Sequence, residues 1–307
     1  MLLAACLILA APIAAAARRQ PTAPRTALHY APNANFAPDG TFRPGAAGFN
    51  LADVSSPAQL ALLPAGVKAL VWVGRCGGVD AHFLQAVGPY VGRPRIFGFY
   101  LMDDPDLRLR LTPDGLRRAC TIGHLNAETD WIHAHMPHVR TFIVLMNLAS
   151  PERPSYGGNE GLNELRVDLV GVDPYPCRSE RHRCFYPMID RYVAAAKSAG
   201  IPADHIVPVY QTFGGGRWMD GSGGRYVLPS RRQERRILAR WGALAAHPAF
   251  DYAYSWGSQR RDCALANSPG LRMVFARHNR EGATARAAVP AVDPARLPPA
   301  AGSAPQC

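Results

Sequence analysis

The chain has 307 residues, 48% of them hydrophobic, and a formal net charge of +11, so it can bury one barrel-sized core or two small ones beneath a basic surface. The charge does not point to nucleic acid: 32 of the 34 basic residues are Arg, in an Ala- and Pro-rich background, which is a compositional bias. The one basic run, Arg231-Arg232-Gln233-Glu234-Arg235-Arg236, contains an acid and reads as a solvated helix face, and no aromatic–basic interleaving or nucleic-acid motif accompanies it.

Taken in chain order, residues 2–17 (LLAACLILAAPIAAAA) are apolar and end in small residues before Arg18-Arg19. Residues 1–17 therefore read as a signal peptide, and the product as secreted or periplasmic. The run is short for a membrane span, and no other segment is a candidate. Leu3-Ala4-Ala5-Cys6 resembles a lipoprotein box, but the apolar run continues past the cysteine. Six cysteines follow: Cys76, Cys120, Cys177, Cys184, Cys263 and Cys307. An even count in an exported chain implies disulfides. Many connectivities are open; the expected pairs are Cys76–Cys120, Cys177–Cys184 and Cys263–Cys307. No CxxC spacing suggests zinc, and neither a metal nor a cofactor is expected.

Residues 18–47 form a Pro-, Ala- and Gly-rich extended segment with a short strand at 27–30, and residues 286–307 an Ala/Pro-rich tail. Between them lie strand-length apolar runs at 48–54, 68–74, 95–102, 140–147, 167–173, 205–211 and 250–256. They lack strict alternation, as buried parallel strands do. Helical patterns fall at 80–91, 114–136, 186–199, 230–246 and 269–279, with Pro229-Ser230 and Ser268-Pro269 as starts and Gly200 as a stop. Repeated strand–helix alternation predicts a single-domain (β/α)8 barrel of the TIM type over residues 48–285. No GxGxxG follows the first strand and no Walker loop occurs. Gly214–Gly216 and 221–224 read as a mobile loop over a site.

Barrel sites gather at the C-terminal ends of the strands. Those ends carry Asn50 and Asp53; Arg75; Asp103 and Asp104; Asn147; Asp173 and Tyr175; Gln211; and Ser255 and Trp256. Alternation along each strand puts Phe97, Phe99 and Leu101 outside and Gly98, Tyr100, Met102 and Asp104 inside. By the same rule Asp173, Gln211 and Trp256 point inward, while Asp103 points away unless its strand has broken. Two carboxylates across an aromatic-floored pit suit glycosidic bond cleavage, one donating a proton to the leaving oxygen, the other attacking the sugar or activating water. Trp256, Trp72 and the tyrosines would stack on sugar rings.

The ending MDDP resembles the N-E-P and D-E-P endings of the fourth strand in (β/α)8 glycoside hydrolases, notably clan A. GFYLMDDPD, VDLVGVDPYPC, IVPVYQTFGGG and FDYAYSWGSQ are together similar to a group of secreted bacterial barrel proteins without an established activity, over residues 48–280. The clan resemblance implies that Asp104 takes the place of the acid/base Glu, Asp103 that of the preceding Asn, and Trp256 that of the Trp on the last strand. It also calls for a nucleophilic Glu on the seventh strand. If 27–30 is the first strand, the seventh ends in Gln211, an amide that cannot form a glycosyl ester; if 48–54 is the first, Asp104 ends the third.

The expectation is a monomeric, secreted hydrolase acting on a polysaccharide or glycan, with no nucleic-acid partner and no membrane span. Asp104 donates the proton, Asp173 is its partner and Asp103 supports. Asn50, Asp53, Asn147, Tyr175, Gln211 and Trp256 bind the substrate. The rival is a catalytically silent glycan- or cell-wall-binding barrel. Asp-Pro turns at 104–105 and 173–174, a calcium site at Asp103, Asp104, Asp106 and Asp114, and surface roles for His133, His135 and His138 are the plainer readings.

Overall fold

The computed structural model describes residues 26–108, 110–112, 115–117, 120–159, 161–181, 184–219 and 224–283. Residues 1–17, expected to be a signal peptide, the Ala/Pro-rich segment 286–307 and with it Cys307 lie outside the described residues. Eight parallel strands close a barrel: β1 (His29–Tyr30), β2 (Leu51–Val54), β3 (Lys68–Trp72), β4 (Ile96–Asp103), β5 (Arg140–Val144), β6 (Leu169–Val172), β7 (Ile206–Gln211) and β8 (Asp251–Tyr254). Closure runs through the shortest strand, with Tyr30 paired to Leu51 on one side and to Tyr252 on the other. The closing strand thus comes from the segment expected to be extended, and Asp103 and Asp104 stand at the end of the fourth strand.

Helices α1 (Pro57–Ala61), α2 (Ala81–Val87), α3 (Ile122–His135), α4 (Pro187–Ser198), α5 (Arg231–Leu244) and α6 (Pro269–Ala283) lie between and after the strands. Their starts follow local capping chemistry. Asp80 and Thr121 accept the amides of Phe83 and His124, and Ser230 and Gln233 form a reciprocal capping box at α5. Gly200, at φ +95°, ends α4. The helical pattern expected over 114–136 begins only at Ile122. Upstream, Arg110–Thr112 pairs antiparallel with Gly115–Arg117, and the intervening Pro113-Asp114 is turn chemistry. The connection from β5 to β6 carries a single 3-10 turn, Leu162–Glu164, among its described residues.

Two buried layers hold the barrel. The lumen is filled by Tyr30, Leu51, Leu70, Tyr100, Phe142, Val144, Leu169, Val207, Val209, Phe250 and Tyr252. It is tight enough that a Cβ on Gly171 would sit 2.7 Å from Val144 Cγ2 and 2.9 Å from Phe142 Cζ. The outer layer, between sheet and helices, includes Phe99, Leu101, Val170, Val172 and Tyr210, as alternation predicts. Phe97 departs from that expectation and packs in the lumen, while Met102 packs in the outer layer. Both lie at register shifts, one between Ala69 and Leu70 on β3, the other between Tyr100 and Met102 on β4. A bulge inserts a residue and reverses the facing of those beyond it.

Disulfides Cys76–Cys120 and Cys177–Cys184 are present, with Cα atoms 5.3 and 4.1 Å apart. The expected partner of Cys263 is outside the described residues. Among the described residues no helix is long and apolar enough to cross a membrane.

Candidate active site

Four carboxylates gather at the C-terminal mouth: Asp53 within β2, Asp103 ending β4, Asp104 after it, and Asp173 directly after β6. The bulge on β4 decides how the central two point. Asp103, expected to face away, accepts the hydroxyl of the lumen residue Tyr100 at 2.6 Å. Asp104 donates its amide to Val144 at 3.0 Å and takes a left-handed φ of +47°, so it stands beyond the strand and outside its alternation.

All four acids are pushed toward their neutral forms. Burial is the largest cause at each. Asp104 reaches about 7 through burial and then the Asp103 charge. Asp173 is raised well above the usual carboxylate range by burial, then by the charges of Asp104 and Asp103, with a hydrogen bond from Tyr175 opposing. Asp53 is raised by burial against the opposing hydrogen bonds of Asn33 N at 3.1 Å and Tyr30 OH at 3.3 Å. Asp103 and Asp104 are exposed as residues, yet enough protein surrounds their carboxyls that lost hydration still dominates. Among the described residues no Lys, Arg or His contributes to the shift at any of the four.

Aromatic groups line the mouth. Tyr175 stacks on Tyr254 at 6.1 Å and meets Phe213 edge-on at 4.9 Å. Trp72 ends β3 with 37% of its surface exposed, edge-on to Tyr100 at 4.8 Å. Tyr156 was not singled out by its sequence, since it lies in the β5–β6 connection, where no periodicity marks it. It is 1% exposed and its hydroxyl has no partner. After burial, the largest influences on that hydroxyl are the charges of Asp173, Tyr192 and Asp104, and its ring meets that of Tyr192 edge-on at 6.4 Å.

Four residues expected at the site are placed elsewhere or used otherwise. Asn50 precedes β2 because that strand begins at Leu51; its amide accepts His29 N at 2.9 Å and donates to Ala27 O at 2.7 Å, at the opposite end of the barrel. Asn147 folds its own loop, accepting Ala149 N and Ser155 N and donating to Ala149 O and Tyr192 OH. Gln211 is fully buried; it accepts Cys177 N at 2.8 Å and donates to the carbonyls of Cys177, Phe213 and Val227. Trp256 is 3% exposed and packs in the outer layer against Phe49, because β8 ends at Tyr254 and alternation stops there. Tyr254 occupies the mouth position instead.

At the other end of the barrel, buried Asp251 accepts from His29 Nδ1 at 2.8 Å and His278 Nε2 at 2.6 Å. Burial alone would raise its pKa; the two histidines reverse this and hold the carboxyl far below its usual range. These three are the one group among the described residues whose ligand atoms lie within 4.8 Å of one another. Their hydrogen bonds account for the arrangement as a structural clamp.

No protein-family model matches the sequence, and no curated protein matches it significantly. Solved structures do match in shape. The C-terminal domain of a proposed chitinase from Desulfitobacterium hafniense DCB-2 has 11% identity and a TM-score of 0.53, covering 84% of this chain and 100% of that one. A proposed α-L-fucosidase from Bacteroides thetaiotaomicron VPI-5482 has 11% identity and a TM-score of 0.50, covering 90% and 99%. At such identity the likeness is one of fold: the chain is a closed eight-stranded parallel (β/α)8 barrel.

Proposed function

We propose that the protein is a secreted carbohydrate-active hydrolase that cleaves glycosidic bonds at the carboxylate cluster of the barrel mouth. The observation that carries this is the shared environment of Asp104 and Asp173, both raised and each pushed further up by the other's charge or that of Asp103, at the ends of the two strands that flank β5 and with the exposed ring of Trp72 on β3. Two carboxyls that share a proton near neutrality offer one acid and one base from the same pair. Asp104, open to solvent, donates a proton to the leaving glycosidic oxygen. Asp173, once ionised, attacks the anomeric carbon or takes a proton from the attacking water. Water adds across the C–O bond, its hydroxyl going to the sugar and its hydrogen replacing the proton donated. Asp103, held by Tyr100, adds a negative charge that raises both partners beyond the effect of burial, and Trp72, Tyr175 and Tyr254 form apolar faces for the rings. The disulfides and the apolar N-terminal run support an exported protein.

A second reading follows from Gln211. Its position ends the seventh strand, it is an amide, and it is wholly occupied in tying the Cys177 and Val227 loops together. With no carboxylate there, the barrel could bind a glycan without cleaving it. Incubating the full chain with a panel of polysaccharides and assaying new reducing ends separates the two. Release by the wild type that is lost in Asp173→Asn supports hydrolysis; retention on a polysaccharide with no release by the wild type supports the binding module.

A further inference from the structure

The mouth combines an excess of acid with a strongly basic chain. Asp53, Asp103, Asp104 and Asp173 stand at the ends of β2, β4 and β6, and no described Lys, Arg or His forms an ion pair with them, although ion pairs are numerous elsewhere: Arg140 and His133 with Asp168, Arg166 with Asp130, Arg240 with Asp190. The sequence has 34 Lys and Arg against 23 Asp and Glu, yet none of the described ones forms an ion pair with this cluster; Arg75, which follows β3, lies 3.8 Å from Asp80 instead. Uncompensated carboxylates at a binding surface lose hydration and repel one another unless a ligand supplies the opposite charge.

The cluster is not built for a metal ion. Coordination needs several oxygens converging on one point, and the one such group among the described residues is His29, Asp251 and His278, not these acids. The charge is spread along the mouth instead. A second observation points to a polar, extended ligand: the Tyr156 hydroxyl is buried with no partner, within the electrostatic reach of Asp173 and Asp104, a donor and acceptor without a mate. Trp72 adds an exposed ring at the neighbouring strand end.

We infer that the substrate class is a cationic amino-sugar oligomer, with free amino groups along the chain, rather than a neutral or N-acetylated glycan. Ammonium groups would pair with Asp53 and Asp103, a sugar ring would lie on Trp72, and a ring hydroxyl would meet Tyr156. This rests on the hydrolase reading for the site but not for its chemistry, since binding alone satisfies it. Bound cations favour ionised carboxyls, so binding should expel protons from the acids.

The test is calorimetric binding of a fully de-N-acetylated chitosan hexamer and its fully N-acetylated counterpart to the full chain, in mildly acidic buffers that keep the amines protonated before binding and that differ in ionisation enthalpy. The expected result is a preference of about tenfold for the amine form, weakened by salt and accompanied by proton release. Asp53→Asn keeps an oxygen for Tyr30 and should weaken binding of the amine hexamer several-fold more than that of the acetylated one, removing most of the preference; a thermal melt checks its fold. Equal or tighter binding of the acetylated hexamer, no binding of either, or a preference indifferent to salt overturns the inference. Cleavage of neutral glycans alone would overturn the substrate class and leave the hydrolase standing. An amine preference without new reducing ends would do the reverse.

Discussion

Tyr100 donates its hydroxyl to Asp103 at 2.6 Å, from within the packed lumen to the last residue of the same strand. Strict alternation would put residues 100 and 103 on opposite faces; the register shift between Tyr100 and Met102 brings them to the same one. The bond holds one carboxylate of the mouth in place, and it stabilises the ionised form of Asp103.

Tyr100→Phe removes that bond and little volume. Asp103 should then titrate at higher pH, because its one hydrogen-bonding counterweight to burial is gone, and the protein should lose about 1 kcal/mol. Carboxyl carbon shifts followed by NMR across the acid range read the titration directly. An unmoved Asp103 would mean the bond does not set its charge state.

Gln211 gives the sharpest contrast between a site residue and a structural one. Its amide protons satisfy three backbone carbonyls. Gln211→Glu, which restores the acid that the clan resemblance calls for, aims a carboxylate at those same carbonyls. It should cost about 3 kcal/mol or more and give no gain in turnover. A stable, more active variant would return Gln211 to the catalytic set.

At the far end, Asp251→Ala strands His29 and His278 in the core and should cost about 3–5 kcal/mol. The sign of the wild-type pH dependence is fixed by the lowered carboxyl. Its contribution is present above the unfolded pKa of about 3.9 and is lost as pH falls toward the folded value. Denaturant titrations at several acid pH values should show the wild type losing stability on acidification and the variant losing less.

The barrel itself was legible because seven of its strands are dense in β-branched and aromatic residues and the helix starts are written in Ser, Thr, Asp and Pro. The placement of Asp53, Asp103, Asp104, Asp173 and Tyr175 at the C-terminal mouth was legible from the strand ends. What failed had two physical causes. Bulges and early strand ends reassign faces, which misdirected Asp103, Met102 and Trp256. A polar residue at a strand end also serves the backbone as readily as a ligand, which is how Asn50, Asn147 and Gln211 are used. Tyr156 carries no local signal because it lies in the β5–β6 connection, where no strand or helix periodicity marks a residue that tertiary packing buries.

Asp104 links the site to stability. Its pKa, raised to about 7, lies above the unfolded value, so its contribution is complete at pH below about 3.9 and declines as pH rises through 7. Asp104→Asn should flatten the loss of stability between those limits. Measured by denaturation at pH 4 and pH 7, an unchanged difference would show that Asp104 is not the group titrating there.

The most direct test is the turnover of Asp104→Asn beside its binding. The account predicts that wild-type reducing-end release falls on a basic limb near pH 7, that Asp104→Asn releases at least about a hundredfold less, and that it still binds the same glycan with wild-type affinity. Undiminished turnover in Asp104→Asn would contradict the paired-carboxylate site.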